Sequence, residues 1–328
     1  MHDPAHPRAQ EQVDRVTELL DQRNDRIDAS DVAVVIAHPD DETIGCGAQL
    51  ARWSGVSLVL VTDGAPLDLK DARALGFATA KEYAEARRSE LLAALAVAGQ
   101  PPESLVCFDI PDQEVARRLV DATHRILKLV KELNLRVLFT QAYEGGHPDH
   151  DATAFAVHAA ARLLKAEGHP VLVVEMPYYR LASHENGVDM IRRLMSTAIQ
   201  HLRSPHRLLT KVLSPRDAVV SAIFGATTRQ EFISFPGAGQ EFTIHLSPEQ
   251  QTLKRRMMAA HPTQKAILAA FDVSAEYFRI APDYDFSELP NEGRLLYEHG
   301  NWGGLNGHEW LGLSRAALAE LGLGSGPC

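Results

Sequence analysis

Several things are scarce in this chain, and each absence narrows what it can be. Cysteine occurs only at Cys46, Cys107 and Cys328, an odd and widely spaced set that makes no disulfide framework. Cys107 sits in an apolar run and reads as core packing, and Cys328 closes the sequence. No window approaches the ~18 uninterrupted apolar residues of a membrane helix. Positive charge is short: 33 Lys and Arg stand against 43 Asp and Glu, for a net charge of −10. With no basic run, neither a nucleic-acid backbone nor an anionic membrane surface is an expected partner. Residues 1–15 (MHDPAHPRAQEQVDR) lack a basic start followed by an apolar stretch, so no signal peptide is expected there and the expected setting is the reducing cytoplasm. Repeats and low-complexity tracts are absent as well.

What is present is an ordinary globular composition, 45% hydrophobic and 23% charged, which excludes general disorder. The length of 328 residues fits two domains or one large α/β domain. Glu11–Leu20 has apolar positions near helical spacing. Val32–Ala37 (VAVVIA) and Val56–Val61 (VSLVLV) are short β-branched runs of the kind buried on both faces of a sheet. The first stops at His38-Pro39-Asp40-Asp41-Glu42, before a helical pattern carrying Ile44, Leu50 and Trp53; the second stops at Thr62-Asp63-Gly64. Lys81–Val97 is an Ala/Leu-rich helix closed by Gly99 and Pro101. Leu105–Phe108, Arg136–Thr140 and Val171–Glu175 read as further strands, with helices over Val115–Leu133 and from about Asp151 to Lys165 between them.

This alternation predicts an α/β fold with a mostly parallel sheet flanked by helices. Three regions follow: a polar lead and N-terminal helix (1–30), the α/β core (31–180) and a C-terminal elaboration packed on the core (181–328). In that last region Phe242–Leu246 reads as a strand, Pro248–Phe271 as a helix broken near Pro262, and Arg315–Leu321 as a short helix. Chemistry in parallel sheets gathers beyond the carboxyl ends of the strands. The loops after Ala37, Val61 and Thr140 are all rich in His, Asp and Glu. No Gly-x-Gly-x-x-Gly turn follows Ala37, which removes a dinucleotide-binding reading.

Two clusters stand out among the fifteen histidines. In His38-Pro39-Asp40-Asp41-Glu42, four ionisable residues follow on a buried strand. Asp41 or Glu42 could cap the coming helix, but a capping role leaves His38 unexplained. The second cluster, His147-Pro148-Asp149-His150, follows Glu144-Gly145-Gly146 and again lies between a strand and a helix. Its two histidines suit metal ligation, or one ligand and one catalytic partner. Brought together at one sheet edge, the clusters offer three imidazoles and a choice of carboxylates. Two imidazoles and one carboxylate make a catalytic zinc set with a coordination position left for water.

These motifs resemble a known family. Ala37–Glu42 (AHPDDE), Thr62-Asp63-Gly64 and Tyr143–Thr153 (YEGGHPDHDAT) look like the LmbE/PIG-L zinc-dependent N-deacetylases, Rossmann-like proteins that remove acetyl from N-acetylglucosaminyl groups or related amides. Lys254–Gln264 is similar to a late Lys…His-x-x-Gln segment of the same family. The resemblance implies His38, Asp41 and His150 as metal ligands for Zn2+ or another divalent ion. It implies Asp40 as general base and a protonated His147 at the oxyanion, with Asp149 orienting His147. It also points to Arg87 or Arg88 for substrate contact, where a solvated helix face is the alternative. Asp112, in a loop after the third strand, would meet sugar hydroxyls or else serve as a turn residue. A tyrosine found in some relatives two residues before HPDH is replaced here by Gly145, and Tyr143 lies two residues further back.

The expected function is hydrolytic de-N-acetylation of a small acetylated amino-sugar conjugate. An amidase on a larger amide such as a thiol S-conjugate, and a catalytically inactive metal- or sugar-binding protein, are the alternatives. Asp63 is expected to support the metal loop or start a turn. Glu175, Tyr178, Tyr179 and Arg180 are expected near the substrate entrance. His261 and Gln264 are expected on helix surface, with approach to the site as the alternative, Cys46 and His158 as packed residues, and Trp302, His308 and Trp310 in the core of the tail or else as a lid or sugar platform. Composition sets no subunit number.

Overall fold

The strand Val32–Ile36 is the hub of the molecule, and its residues show why. Val32, Val34 and Ile36 face one apolar layer and Ala33 and Val35 the other, all fully buried. A β-branched strand with no polar side of its own is stable only between two covered faces. The computed structural model describes residues 5–23, 25–180, 230, 232–233, 235, 238–298 and 304–324, and the elements below are those of the described residues; Trp302 and Cys328 lie outside them.

In chain order the elements are α1 (Ala5–Leu20), β1 (Ile27–Asp28), β2 (Val32–Ile36), α2 (Asp41–Leu50), β3 (Trp53–Ser54), β4 (Ser57–Pro66), α3 (Lys70–Ala74), α4 (Ala80–Val97), β5 (Leu105–Asp112), α5 (Leu119–Leu133), β6 (Val137–Gln141), α6 (Pro148–Ala166), β7 (Leu172–Met176), β8 (Glu241–His245), α7 (Pro248–Ala259), α8 (Lys265–Leu268), β9 (Ala275–Ile280) and α9 (Gly307–Glu320). Several helix starts are written locally. Thr79 with Glu82, Ser247 with Gln250 and Asn306 with Glu309 form reciprocal capping boxes at α4, α7 and α9. The expected break at Pro262 is present: a single 3-10 turn over Pro262–Gln264 separates α7 from α8.

The sheet runs β5-β4-β2-β6-β7-β9-β8. Its first five strands are parallel, with Val34 of β2 opposite Leu58 of β4 and Phe139 of β6. The last two strands are antiparallel, so residues from beyond 180 complete the same sheet. The chain winds outward from β2 through β4 to β5, then returns to the other side of β2 for β6 and β7. Strand order therefore reverses between β2 and β6, and a crevice opens beyond their carboxyl ends. Helices α1, α2, α4 and α7 cover one face; α5, α6 and α9 cover the other. Among the described residues no helix is long and apolar enough to cross a membrane.

Several elements differ from expectation. Trp53 leaves the helical pattern: it pairs in β3 with β1, and its indole N–H donates to the Leu19 carbonyl. Strand β4 runs on through Thr62-Asp63-Gly64 to Pro66, and Asp112 ends β5 instead of occupying a loop. Helix α6 starts at Pro148, so Asp149 and His150 occupy its first turn. Helix α9 begins eight residues earlier than Arg315. Strand β9 was hidden in the sequence by its charges. Glu276 and Arg279 are both buried there, each matched by a partner from a distant element. Arg279 lies opposite Glu175 across the β7–β9 seam and donates to it through Nε at 2.6 Å; the Tyr284 hydroxyl donates to the same carboxylate at 2.7 Å. Glu175 therefore serves the sheet seam and not a substrate entrance. Trp310 is buried in the core with its indole N–H on the Tyr143 hydroxyl at 2.7 Å, while His308 is exposed.

His158 on α6 packs against the rings of Tyr284 and Phe286. Burial, aided by Arg162, pushes its imidazole down to about 3. The ring is thus neutral when folded but takes a proton below about 6.5 when unfolded. This raises the cost of folding as pH falls from about 6.5 towards 3, at up to about 1.4 kcal/mol per pH unit. His158→Leu is expected to lose that share of the acid sensitivity. Urea midpoints of both proteins at pH 7 and pH 5 measure it; parallel losses would remove His158 as the cause.

Candidate metal and catalytic site

The crevice between β2 and β6 receives the first residues beyond each strand. His38 follows β2 directly, and Asp40 and Asp41 open α2. From the other side His147 is the N-cap of α6 and His150 lies in its first turn. All of these side chains are buried. His38 Nδ1 lies 3.2 Å from His150 Nε2 and 3.5 Å from Asp41 Oδ2, and Asp41 Oδ1 lies 3.3 Å from His150 Nε2.

Those spacings decide what the trio can hold. Ligands about 2.0–2.2 Å from a tetrahedral ion stand about 3.3–3.6 Å from one another. The two imidazole nitrogens and the carboxylate are already at that separation. The chemistry of the set agrees, since two nitrogens and one oxygen are the donors of an open catalytic zinc site. His150 Nδ1 is buried with no hydrogen-bond partner, which leaves Nε2 as the nitrogen committed to the group. The residues fit a divalent ion.

Each ligand candidate is oriented from behind. Asp41 Oδ2 accepts the His38 backbone N–H at 2.7 Å and the Gln141 side-chain amide at 2.8 Å. Although burial opposes its charge, His150 and His38 hold the Asp41 carboxyl well below the usual range. His38 Nε2 faces Asp112 Oδ1 at 3.2 Å and Asp149 Oδ2 at 3.4 Å. A carboxylate behind a ligating imidazole fixes its tautomer and ring direction. Against burial, Asp112, Asp149 and Asp41 raise the His38 imidazole well above its ordinary value. The rings of Tyr178 and Tyr179 pack on His150 with centroids 5.0 and 5.1 Å away.

Asp40 sits on the same turn as Asp41 and is a distinct kind of carboxylate. Its backbone φ of 155° is a conformation that side-chain-bearing residues rarely adopt, sustained only where the surroundings over-determine it. Burial, with Asp41 adding to it against Arg87, His261 and His38, pushes its carboxyl up to about 7. A carboxylate poised there can take and return a proton near neutrality. His147 Nδ1 accepts the Asp149 backbone N–H at 3.2 Å, which leaves its proton on Nε2. Burial, with His38 and His150 alongside, holds this imidazole well below its usual range. Both observations favour a neutral ring carrying its proton on Nε2 when no ion or substrate is bound. The Asp149 carboxylate, expected to orient His147, has further partners. That carboxylate accepts the Gln113 and Val115 backbone N–H groups and faces His38, and it lies within 4.8 Å of a His147 nitrogen.

The two arginines differ in side-chain direction. Arg87 is buried and donates to the carbonyls of Gly64 at 2.8 Å and Pro39 at 3.2 Å, with Asp40 Oδ1 at 3.3 Å and Asp112 Oδ2 at 3.9 Å. Gly64 is required for this approach: its φ is +69°, and a Cβ there would lie 2.7 Å from Arg87 Nη1. Arg88 points away and pairs with Asp109 on the surface, so it is no part of the site. Asp63 is a support, accepting the Ala65 and Asp112 backbone N–H groups.

Sequence reasoning missed several contributors. His261 is fully buried, with Nε2 3.4 Å from Glu42 Oε1, and Gln264 donates to the Tyr83 hydroxyl at 2.8 Å. Helix surface is the favoured expectation for both and approach to the site the alternative, and it is the alternative that the burial of both side chains agrees with. The signal was the short-spaced His-x-x-Gln beside Pro262, since such polar groups in a helix break need partners. Gln141, the last residue of an apolar strand, gave a similar sign. Tyr143, considered for the oxyanion, is turned away: its hydroxyl donates to the Glu288 carbonyl.

A buried α/β crevice that joins a trio at metal-ligand spacing to a raised carboxyl has the groups that metal-assisted hydrolysis requires. The model of the PIG-L family, described as GlcNAc-PI de-N-acetylase, matches residues 33–161. It is 29% identical over 238 residues to the 1D-myo-inositol 2-acetamido-2-deoxy-alpha-D-glucopyranoside deacetylase of Kineococcus radiotolerans, covering 59% of this chain and 63% of the relative. It is 29% identical over 158 residues to a deacetylase of the same description from Catenulispora acidiphila, covering 41% and 52%. The chain thus spans less than two thirds of the length of these relatives. Among solved structures it shares its fold with the antimicrobial reagent A40926 pseudoaglycone deacetylase (TM-score 0.51, 18% identity, 77% of this chain and 97% of that one). The zinc-inhibited form of teicoplanin deacetylase is also similar (TM-score 0.50, 15% identity, 76% and 96%).

The two arginines should separate in stability. Arg87→Met removes charge-assisted bonds worth about 1.5–3 kcal/mol each and leaves Asp40 buried without its arginine partner. Arg88→Met breaks an exposed pair worth at most about 1 kcal/mol. Urea unfolding of the two variants is expected to show a clearly larger loss for Arg87→Met; equal losses would contradict the buried role.

Proposed function

We propose that the chain is a metal-dependent N-deacetylase that releases acetate from an N-acetylglucosaminyl-type conjugate and frees its amine. The observation that carries the reading is the meeting of His38 Nδ1, Asp41 and His150 Nε2 at tetrahedral spacing, with Asp40 on the same turn. The names of the relatives support an acetamido sugar joined to an inositol-like alcohol as the substrate class.

His38, Asp41 and His150 would hold the ion, with Zn2+ as the fitting choice. Bound there, the ion would supply Lewis-acid polarisation of the amide carbonyl and lower the pKa of water to about 7. Asp40 takes the proton of the attacking water; its raised pKa matches this work at neutral pH, and Arg87 holds it in place. His147 offers Nε2–H to the oxygen on which negative charge develops. The proton gathered by Asp40 then passes to the departing nitrogen. Asp112, beside Arg87 at the end of β5, accepts sugar hydroxyls while its other side steadies His38.

The test is acetate release from N-acetylglucosaminyl conjugates. Removing metal with a chelator is expected to abolish turnover and added Zn2+ to restore it. Asp40→Asn should keep Zn2+ binding but lower kcat by about 10²–10⁴. Full activity in the chelated protein, or in Asp40→Asn, would overturn the mechanism. Metal binding without turnover on any acetamido conjugate would favour a binding protein instead.

A further inference from the structure

Helix α2 carries Asp41 and Glu42 in its first turn, yet it is not one continuous helix. Cys46 has φ −143° and ψ 23°, outside the helical region, so the turn bearing the ligand and base is set at an angle to the rest. In an unbroken helix the Ile44 carbonyl would accept the Ala48 N–H. Here side chains take both groups. Lys254 Nζ donates to the Ile44 carbonyl at 2.8 Å, and Glu276 Oε1 accepts the Ala48 N–H at 2.8 Å. Lys254 and Glu276 also meet each other at 2.9 Å, and both side chains are wholly buried. An ion pair is inserted into the helix ladder where one backbone bond would stand.

A second contact acts on the same turn. The Tyr178 hydroxyl donates to the Asp41 carbonyl at 2.9 Å. Gly45 makes room for it, because a Cβ there would lie 2.5 Å from the Tyr178 oxygen and 2.7 Å from Met176 Sδ. Lys254 comes from α7, Glu276 from β9 and Tyr178 from the segment after β7, all beyond residue 161.

A buried ion pair is weak evidence for stability, since an apolar pair of similar volume is often as stable or more so. Its position in the ladder points to a different use. We infer that Lys254, Glu276 and Tyr178 are positioning residues that hold α2 broken and aim the Asp40–Asp41 turn at His150. With the pair absent, Ile44 and Ala48 can bond to each other, the helix closes, and Asp41 swings out of register with the two imidazoles. The inference rests on the metal-site reading above.

The double variant Lys254→Met/Glu276→Leu separates positioning from stability. It is expected to fold with a Tm near or above wild type, bind Zn2+ about 10- to 100-fold more weakly, and show slower hydrogen exchange at amides 45–48 without metal. Tyr178→Phe keeps the ring on His150 but loses the hydroxyl, and is also expected to weaken Zn2+ binding at nearly unchanged Tm. A folded double variant with wild-type Zn2+ affinity overturns the inference. If the double variant does not fold, Tyr178→Phe decides in the same way. Failure of the wild type to bind Zn2+ would instead overturn the proposed function, and amide exchange at 45–48 would then decide whether the pair keeps the helix open.

Discussion

Burial of charge at the switch point between β2 and β6 is the constraint that shapes the rest of the molecule. Five ionisable side chains, His38, Asp40, Asp41, His147 and His150, are buried together in one crevice, where an unmatched charge is very costly. Each must find a partner or change its protonation. The observed answer is a division of labour among chemically similar groups. Asp41, between two imidazoles, stays ionised; Asp40, one residue away, is raised to about 7. His38, facing three carboxylates, favours its charged form, while His147 is held neutral. A divalent ion would sit where that conflict of charges is greatest.

The surroundings are arranged to keep this set in place. Gln141 and the His38 backbone hold Asp41, Arg87 ties Asp40 to the backbone of Pro39 and of Gly64 in β4, and Asp112 and Asp149 stand behind His38. The unusual backbone at Asp40 is consistent with a turn gripped from every side. Much of that grip comes from far along the chain: Tyr178, Lys254, His261 and Glu276 all reach α2. The family match ends at residue 161, but the support for the site does not. Residues beyond 161 complete both the sheet and the wall behind the first cluster.

The α/β alternation, the five parallel strands and the two polar clusters beyond β2 and β6 are all visible in residue order. They are local properties. A buried parallel strand must be apolar and β-branched along its length, a helix repeats its apolar face, and Thr79 or Ser247 caps the turn that follows it. Because parallel sheets place their loops on one edge, AHPDDE and HPDH could be assigned to a common crevice without coordinates. Strand β9 escaped because its two charged residues broke the apolar pattern, and only their distant partners make burial tolerable.

Partner choice could not be read in this way. Nothing local distinguishes Arg87 from Arg88; one step of 100° around α4 puts one into the crevice and the other into solvent. Nor does residue order say that Asp112 and Asp149 both turn to His38, that His261 is buried on Glu42, or that Lys254 and Glu276 meet inside a broken helix. Such pairings join elements more than a hundred residues apart in several cases, and they exist only once the sheet has brought those elements together. Hydrophobic periodicity belongs to a segment and survives in its sequence, whereas the match between two buried charges belongs to the folded chain.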